Sequence, residues 1–172
     1  MTQDSNSAAP MSKTVRLDRE VDLSAVGAHA HDHSHGVDEV AILKAFHGHL
    51  GPYVFAGMRM GKYAVSKLEA DPHFGIEADV YCPDAPPPSC AIDGIQFATG
   101  CTLGKMNIRH HTAEGVTGRF KNRDTGRVLR LRLRPKALQR AVAQMEQHDD
   151  EAGAAMIQAM TDEELLEELA DH

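Results

Sequence analysis

Pro86, Pro87 and Pro88 stand in a row within PDAPPPS, and three consecutive prolines can neither donate ladder hydrogen bonds nor continue a helix. The chain is expected to cross this point as a stiff, extended loop, so the segments on either side must be separate elements. Before it, IEADVYC puts Ile76, Ala78, Val80 and Cys82 on one side and polar residues on the other, the period of a half-buried strand. After it, Ser89 is placed to cap a helix over CAIDGIQFAT, which Thr99-Gly100 would end.

The same reading extends in both directions. Val37, Val40, Ala41, Leu43 and Phe46 give a short amphipathic helix, with Asp38 and Glu39 near its positive end. Pro52 opens a second helix carrying Val54, Met58, Ala64, Val65 and Leu68. Gly57 and Gly61, one turn apart in it, cost about 1 kcal/mol each in helix propensity and allow another backbone to come close. Beyond Lys105, MNIRHH, VTGRFKN and RVLRLRLR read as three strands separated by AEG and the turn RDTG. In the last, Val128, Leu129, Leu131 and Leu133 form the apolar side, while Arg127, Arg130, Arg132 and Arg134 form a solvated face.

Pro135 starts a helical stretch with Leu138, Val142 and Met145, then Met156, Ile157 and Met160. Thr161 and Glu164 form a capping box that predicts a last short helix over LLEEL. The fold class is therefore α+β: a helix-strand-helix-three-strand core whose mixed sheet is covered by helices, plus a C-terminal helical tail. Three units follow: an N-terminal arm over 1–36, a core domain over 37–134 and a helical extension over 135–172.

Composition narrows the function. A net charge of −7, 5% aromatic residues and no Trp leave little with which to attract phosphate backbones or stack bases, so nucleic acid is not an expected partner. No run approaches the roughly 20 apolar residues of a membrane span. The first residues lack the apolar core of a secretory signal, so a cytoplasmic location is expected and no membrane partner. Cys82, Cys90 and Cys101 make an odd count, which points to reduced thiols available to a metal or redox partner.

His47 and His49, separated by one Gly before a helix start, can converge on one ion or point apart. Cys90 opens a helix where the dipole favours a thiolate, and Cys101 sits in the Gly-flanked turn TGCTLGK. Together His47, His49, Cys90 and Cys101 form a borderline-soft ligand pool that suits zinc first, and also nickel, copper or iron. Cys82 ends a strand on its apolar side and reads as core. Asp93 and Gln96 share a helix face with Cys90, Lys105 could bind an anion, and Tyr53 could line the same cleft. His29, His31, His33 and His35 alternate in HAHDHSHG, a tract able to capture metal without a fold.

FHGHLGPYVFAGMRMGKYA followed by CAIDGIQFATGCTLGKMNI resembles the formylmethanofuran dehydrogenase E-subunit family, over roughly His47 to Leu133. The resemblance implies an α+β fold related to the catalytic domain of glyceraldehyde-3-phosphate dehydrogenases. It also implies metal binding and association with a molybdenum or tungsten oxidoreductase. Many relatives carry a Cys soon after the HGH motif, where this chain has Gly51, and many end in a zinc ribbon of CxxC pairs, absent here because no Cys follows Cys101.

The leading expectation is an accessory protein that binds or delivers a metal or metal cofactor to an oxidoreductase. A stand-alone zinc-type metalloenzyme with an open coordination position is the alternative, with Asp93 or Lys105 assisting. A tetrapyrrole or heme binder using His47 or His49 as axial ligand is the third. A homodimer is expected from the apolar tail and the Gly57/Gly61 helix.

Overall fold

A computed structural model describes residues 38–170. Asp38 caps the first helix, α1 (Glu39–His47), by accepting from the Val40 and Ala41 amides at 3.1 and 3.2 Å. Gly48 ends it in the left-handed region at φ 93°, its N–H bonded to Lys44 O, a conformation that a side chain would strain. The chain reverses through Gly51 into α2 (Pro52–Leu68), crosses β1 (Ile76–Cys82) and reaches α3 (Cys90–Thr99). Strands β2 (Ile108–Thr112), β3 (Thr117–Asn122) and β4 (Val128–Leu133) follow, then α4 (Pro135–Gln147), α5 (Asp150–Ala159), α6 (Asp162–Leu165) and β5 (Leu166–Leu169).

These strands form one mixed sheet in the order β2-β1-β3-β4-β5. β1 and β2 are parallel, in the register Ala78 to Ile108, and α3 lies in the connection between them, as a parallel pair requires. The remaining pairs are antiparallel, with Ala78 opposite Phe120 and Phe120 opposite Leu129. Ile76, Ala78, Val80 and Cys82 are fully buried on one face of β1, as the alternation predicts. That face is covered by α2, which also packs on α3 and α5. α2 therefore buries Val54, Phe55, Ala56, Met58, Met60 and Ala64 almost all round.

Two details differ from the sequence expectations. The proline loop does not stay extended: Ser89 is already in helical backbone and makes no side-chain cap. The carbonyls of Pro87 and Pro88 instead accept from Cys90 and Ala91. At the other end, the capping box of Thr161 and Glu164 forms, but the helix it starts is a single turn. Leu166–Leu169 continues as a strand paired to β4, with Leu133 opposite Leu166. Leu165 and Leu166 are buried there while Glu167 turns outward to the arginines of β4, so the C-terminal segment completes the sheet where a helix was expected.

Gly57 and Gly61 do allow close approach, and the neighbour is α3. A β-carbon at Gly57 would lie 2.1 Å from the Ala91 carbonyl oxygen, and one at Gly94 2.0 Å from that of Val54. The Gly57/Gly61 face, one ground for expecting a homodimer, is thus occupied within the chain.

The sheet's other face is polar. Asp79 accepts from Arg109 and His111, both at 3.2 Å, and Arg119 reaches it at 3.4 Å. Arg132 pairs with Glu167 at 2.7 Å, so the arginine alternation of β4 contributes to a solvated, ion-paired surface. Partial burial opposes ionisation of Asp79, but the hydrogen bonds from His111 and Arg109 outweigh it and hold its carboxyl below the usual range.

Gly94→Ala must push backbone apart on both sides and is expected to cost about 3 kcal/mol in denaturant unfolding, whereas Gly115→Ala, with open space around it, should cost about 1 kcal/mol for its positive φ alone. Because the folded pKa of Asp79 lies below its unfolded value, its contribution is complete above the ordinary carboxylate range and is lost as pH falls through the lowered value. Asp79→Asn should therefore lower Tm at neutral pH and flatten the acid limb of a Tm-versus-pH curve; an unchanged acid limb would contradict the assignment.

Candidate functional site

His47, the last residue of α1, is turned back onto α3. Its Nδ1 lies 2.7 Å from Asp93 Oδ2, and the other Asp93 oxygen accepts from Gln96 Nε2 at 3.3 Å. Asp93 and Gln96 stand three apart on α3, so one helix face supplies both the carboxylate and the group that steadies it. The His47 side chain is 8% exposed, and its Nε2 is buried with no hydrogen-bond partner among the described residues. A buried imidazole nitrogen without a partner costs free energy on the order of 1–3 kcal/mol, so this atom needs an explanation. A carboxylate on one ring nitrogen with the opposite nitrogen left free is the arrangement by which proteins orient a metal-binding imidazole.

The free nitrogen's side chain borders a small pocket of about 30 Å³, shared by His47, His49, Tyr53, Cys90 and Met145. That volume is enough for one or two water-sized species. The two imidazole rings stand 4.7 Å apart at 38°. His49 is half exposed, with its Nε2 3.9 Å from Asp150 Oδ2, so it is free to turn. Cys90 enters from the first turn of α3, and Gly51 and Pro52 from the start of α2. Three of the four expected ligands are thus brought together: His47, His49 and Cys90.

The fourth is not. Cys101 follows the other end of α3, and ten helical residues at 1.5 Å each put it about 15 Å from Cys90. Its thiol is fully buried and donates to the Ile76 carbonyl at 3.4 Å, while its amide donates to Thr99 Oγ1. Cys101 fastens the end of α3 to β1. Lys105 is also separate: with Phe46, His73, Gln96 and Phe97 it lines a different cavity of about 520 Å³, its ammonium 5.7 Å from the Phe74 ring centroid. Gln96 faces that cavity while bonding Asp93. Tyr53, in contrast, borders the His47 pocket as expected, and burial raises the pKa of its phenol. His29, His31, His33 and His35 lie outside the described residues.

The thiols differ from expectation in one respect. Burial pushes the Cys90 pKa up, and the nearby Asp93 and Asp150 carboxylates add to it; a backbone hydrogen bond at Cys90 acts the other way without prevailing. Burial likewise raises Cys101 and Cys82. The helix N-terminus at Cys90 is outweighed because its amide is already bonded to Pro87 O. No three His, Cys, Asp or Glu side chains among the described residues already stand in coordinating geometry.

Sequence reasoning placed Asp93 on the Cys90 face but gave it no link to His47, and it missed Met145 and Asp150, which come from α4 and α5. Only contacts between elements could reveal these. A β-carbon at Gly51 would lie 3.5 Å from His49 Nε2, so the position discussed above for its missing Cys borders the same pocket.

Similarity to known proteins agrees with this placement. A probable S-adenosyl-L-methionine-binding protein of Archaeoglobus fulgidus is 40% identical over 67 residues, 38% of this chain and 18% of that protein. The chain thus spans under a fifth of that relative's length. The family described as "FmdE, Molybdenum formylmethanofuran dehydrogenase operon" matches residues 46–170. This range extends past the two motif blocks through α4, α5 and β5. Most of the described structure, from the end of α1 to the last strand, lies in the match, and the chain belongs to the FmdE family.

Proposed function

We propose that this protein is a metal-binding accessory protein of the FmdE type, holding a transition-metal ion, zinc by preference, between His47 Nε2, His49 and Cys90. The observation that carries the reading is the His47 imidazole: Asp93 fixes one nitrogen, and the other is buried without a partner among the described residues, beside a thiol and a second imidazole. Two imidazoles and one thiolate are a ligand set suited to zinc that leaves a fourth position open. A bound ion would act there as a Lewis acid or hold an exchangeable ligand.

The chain's own contributions are orientation and charge. Asp93 keeps His47 in the tautomer that presents a lone pair at Nε2, and Gln96 holds Asp93 in turn. Cys90 supplies the anion. His49, half exposed, can leave and return, which suits a protein that receives or surrenders its metal. Delivery to a molybdenum or tungsten oxidoreductase is the partner relation that the family suggests. The N-terminal histidine tract would serve as a loading arm. No helix among the described residues is long and apolar enough to cross a membrane.

A stand-alone metalloenzyme is the second reading, favoured by the continuity of the pocket with a larger cavity across Tyr53. A tetrapyrrole is disfavoured on size, because a macrocycle does not fit the roughly 30 Å³ beside His47.

Protein purified without metal-affinity resin should contain close to one metal per chain by elemental analysis. His47→Ala and Cys90→Ala should lose it, Cys101→Ala should keep it while lowering Tm, and deletion of residues 1–36 should leave it in place. A metal-free wild type, or loss confined to Cys101→Ala, would defeat the proposal. The raised thiol pKa sets the pH dependence: the metal must displace the Cys90 proton, so affinity rises with pH throughout the range where the free protein is still a thiol. Each proton displaced gives about tenfold per pH unit, and Cys90→Ser should reduce that slope in a chelator competition.

A further inference from the structure

Tyr53 borders two spaces. On one side is the His47–Cys90 pocket, and on the other a cavity of about 340 Å³. The cavity is walled by Val116 and Leu133 from the sheet and by Leu138, Val142 and Ala143 from α4. Val116, Leu133 and Leu138 are buried, so these walls are packed core surface. Its volume lies at the lower end of ordinary small-molecule sites, roughly 300–1,000 Å³. Adjacent residues of α4 face the two spaces: Met145 borders the metal pocket and Glu146 the cavity.

Charge restricts what could enter. Among the described residues no Lys or Arg lines either space, and Glu146 is the charged side chain at the cavity. A phosphate ester or any other multiply charged anion would lose its hydration there without a cationic partner. A divalent ion held by one thiolate and two neutral imidazoles keeps a single positive charge, which one carboxylate-type oxygen group matches. The first turns of α2 and α3 both face the pocket and add the positive ends of two helix dipoles.

We propose that the cavity beside Tyr53 is the body-binding half of the metal site and takes a small monocarboxylate with a compact hydrocarbon chain. Its head group would sit on the metal's open position, and its chain would lie between Leu133 and Val142. The inference rests on the metal assignment above and adds to it the class of ligand.

The test uses full-length protein loaded with cobalt(II), whose visible bands report ligand exchange. n-Alkyl carboxylates from acetate to hexanoate are titrated in, with the matching monoalkyl phosphates. Burial of each methylene should tighten Kd about fourfold until the cavity is filled, and the phosphates should show no such series. Ala143→Phe and, separately, Val142→Phe should flatten the carboxylate series while cobalt content and spectrum stay as in wild type. A Kd independent of chain length in cobalt-loaded wild type, or a series unaffected by either filled variant, would overturn this inference and leave the metal assignment intact. Failure of wild type to take up cobalt would overturn both.

Discussion

The contact between α2 and α3 is the constraint on which the rest of the molecule depends. Gly57 and Gly94 remove the side chains that would hold the two backbones apart, and the helices meet carbonyl against α-carbon. Two consequences follow from that one contact. The first is a dense layer over the sheet, in which α2 is buried on nearly every side. The second is positional: both helices begin at the same end of the layer, so the first turn of α2, with Tyr53 and its cap Gly51, borders the same pocket as Cys90 at the start of α3. A looser packing with ordinary side chains at these positions would separate the tyrosine from the thiol by several ångströms. The glycines that cost helix propensity are therefore what brings the candidate ligands together.

Within that frame the electrostatics are a balance of opposed effects. Helix N-termini favour an anion at Cys90, yet burial and the carboxylates of Asp93 and Asp150 raise its pKa. The free protein thus stores a proton where a metal would require none. Asp93 has a double part in this. It orients His47 at 2.7 Å, and the same negative charge disfavours the thiolate. A cation placed between His47 and Cys90 satisfies both groups at once, since it pairs with the thiolate and lies across the imidazole from the carboxylate. An apolar replacement for Cys90 would satisfy neither.

The elements were largely legible in the sequence because strands and helices here carry clean periods: IEADVYC alternates without a break, and CAIDGIQFAT ends at a glycine in the left-handed region. The failures have local causes. Ser89 was a plausible cap, but three prolines bring carbonyls into position first, and the helix amides bond to those. LLEEL has the composition of a helix, and only the open edge of β4 makes it a strand. Of the candidate ligands, His47, His49 and Cys90 converge, whereas Cys101 resembled them by its glycine neighbours alone. Sequence spacing could not show that α3 stands as a rod between Cys90 and Cys101, with one thiol at each end. Asp93 was found by its helix face, and its partner His47 was hidden by a separation of 46 residues.

The C-terminal third was expected to be an appendage, and its placement changes the meaning of the site. α4 contributes Met145 to the metal pocket and Val142 to the adjoining cavity, and α5 starts at Asp150, 3.9 Å from His49. Arg59 of α2 donates to the Ile157 and Met160 carbonyls at the far end of α5, while β5 closes the sheet beyond. One wall of the pocket therefore depends on helices that the motif blocks do not include. The family match through residue 170 accords with this: a chain ending after β4 would keep the two motifs but leave His47 and Cys90 open to solvent on the α4 side. In water, an imidazole nitrogen without a protein partner is simply hydrated. It is the cover from α4 and α5 that turns the free nitrogen of His47 into a demand for a ligand.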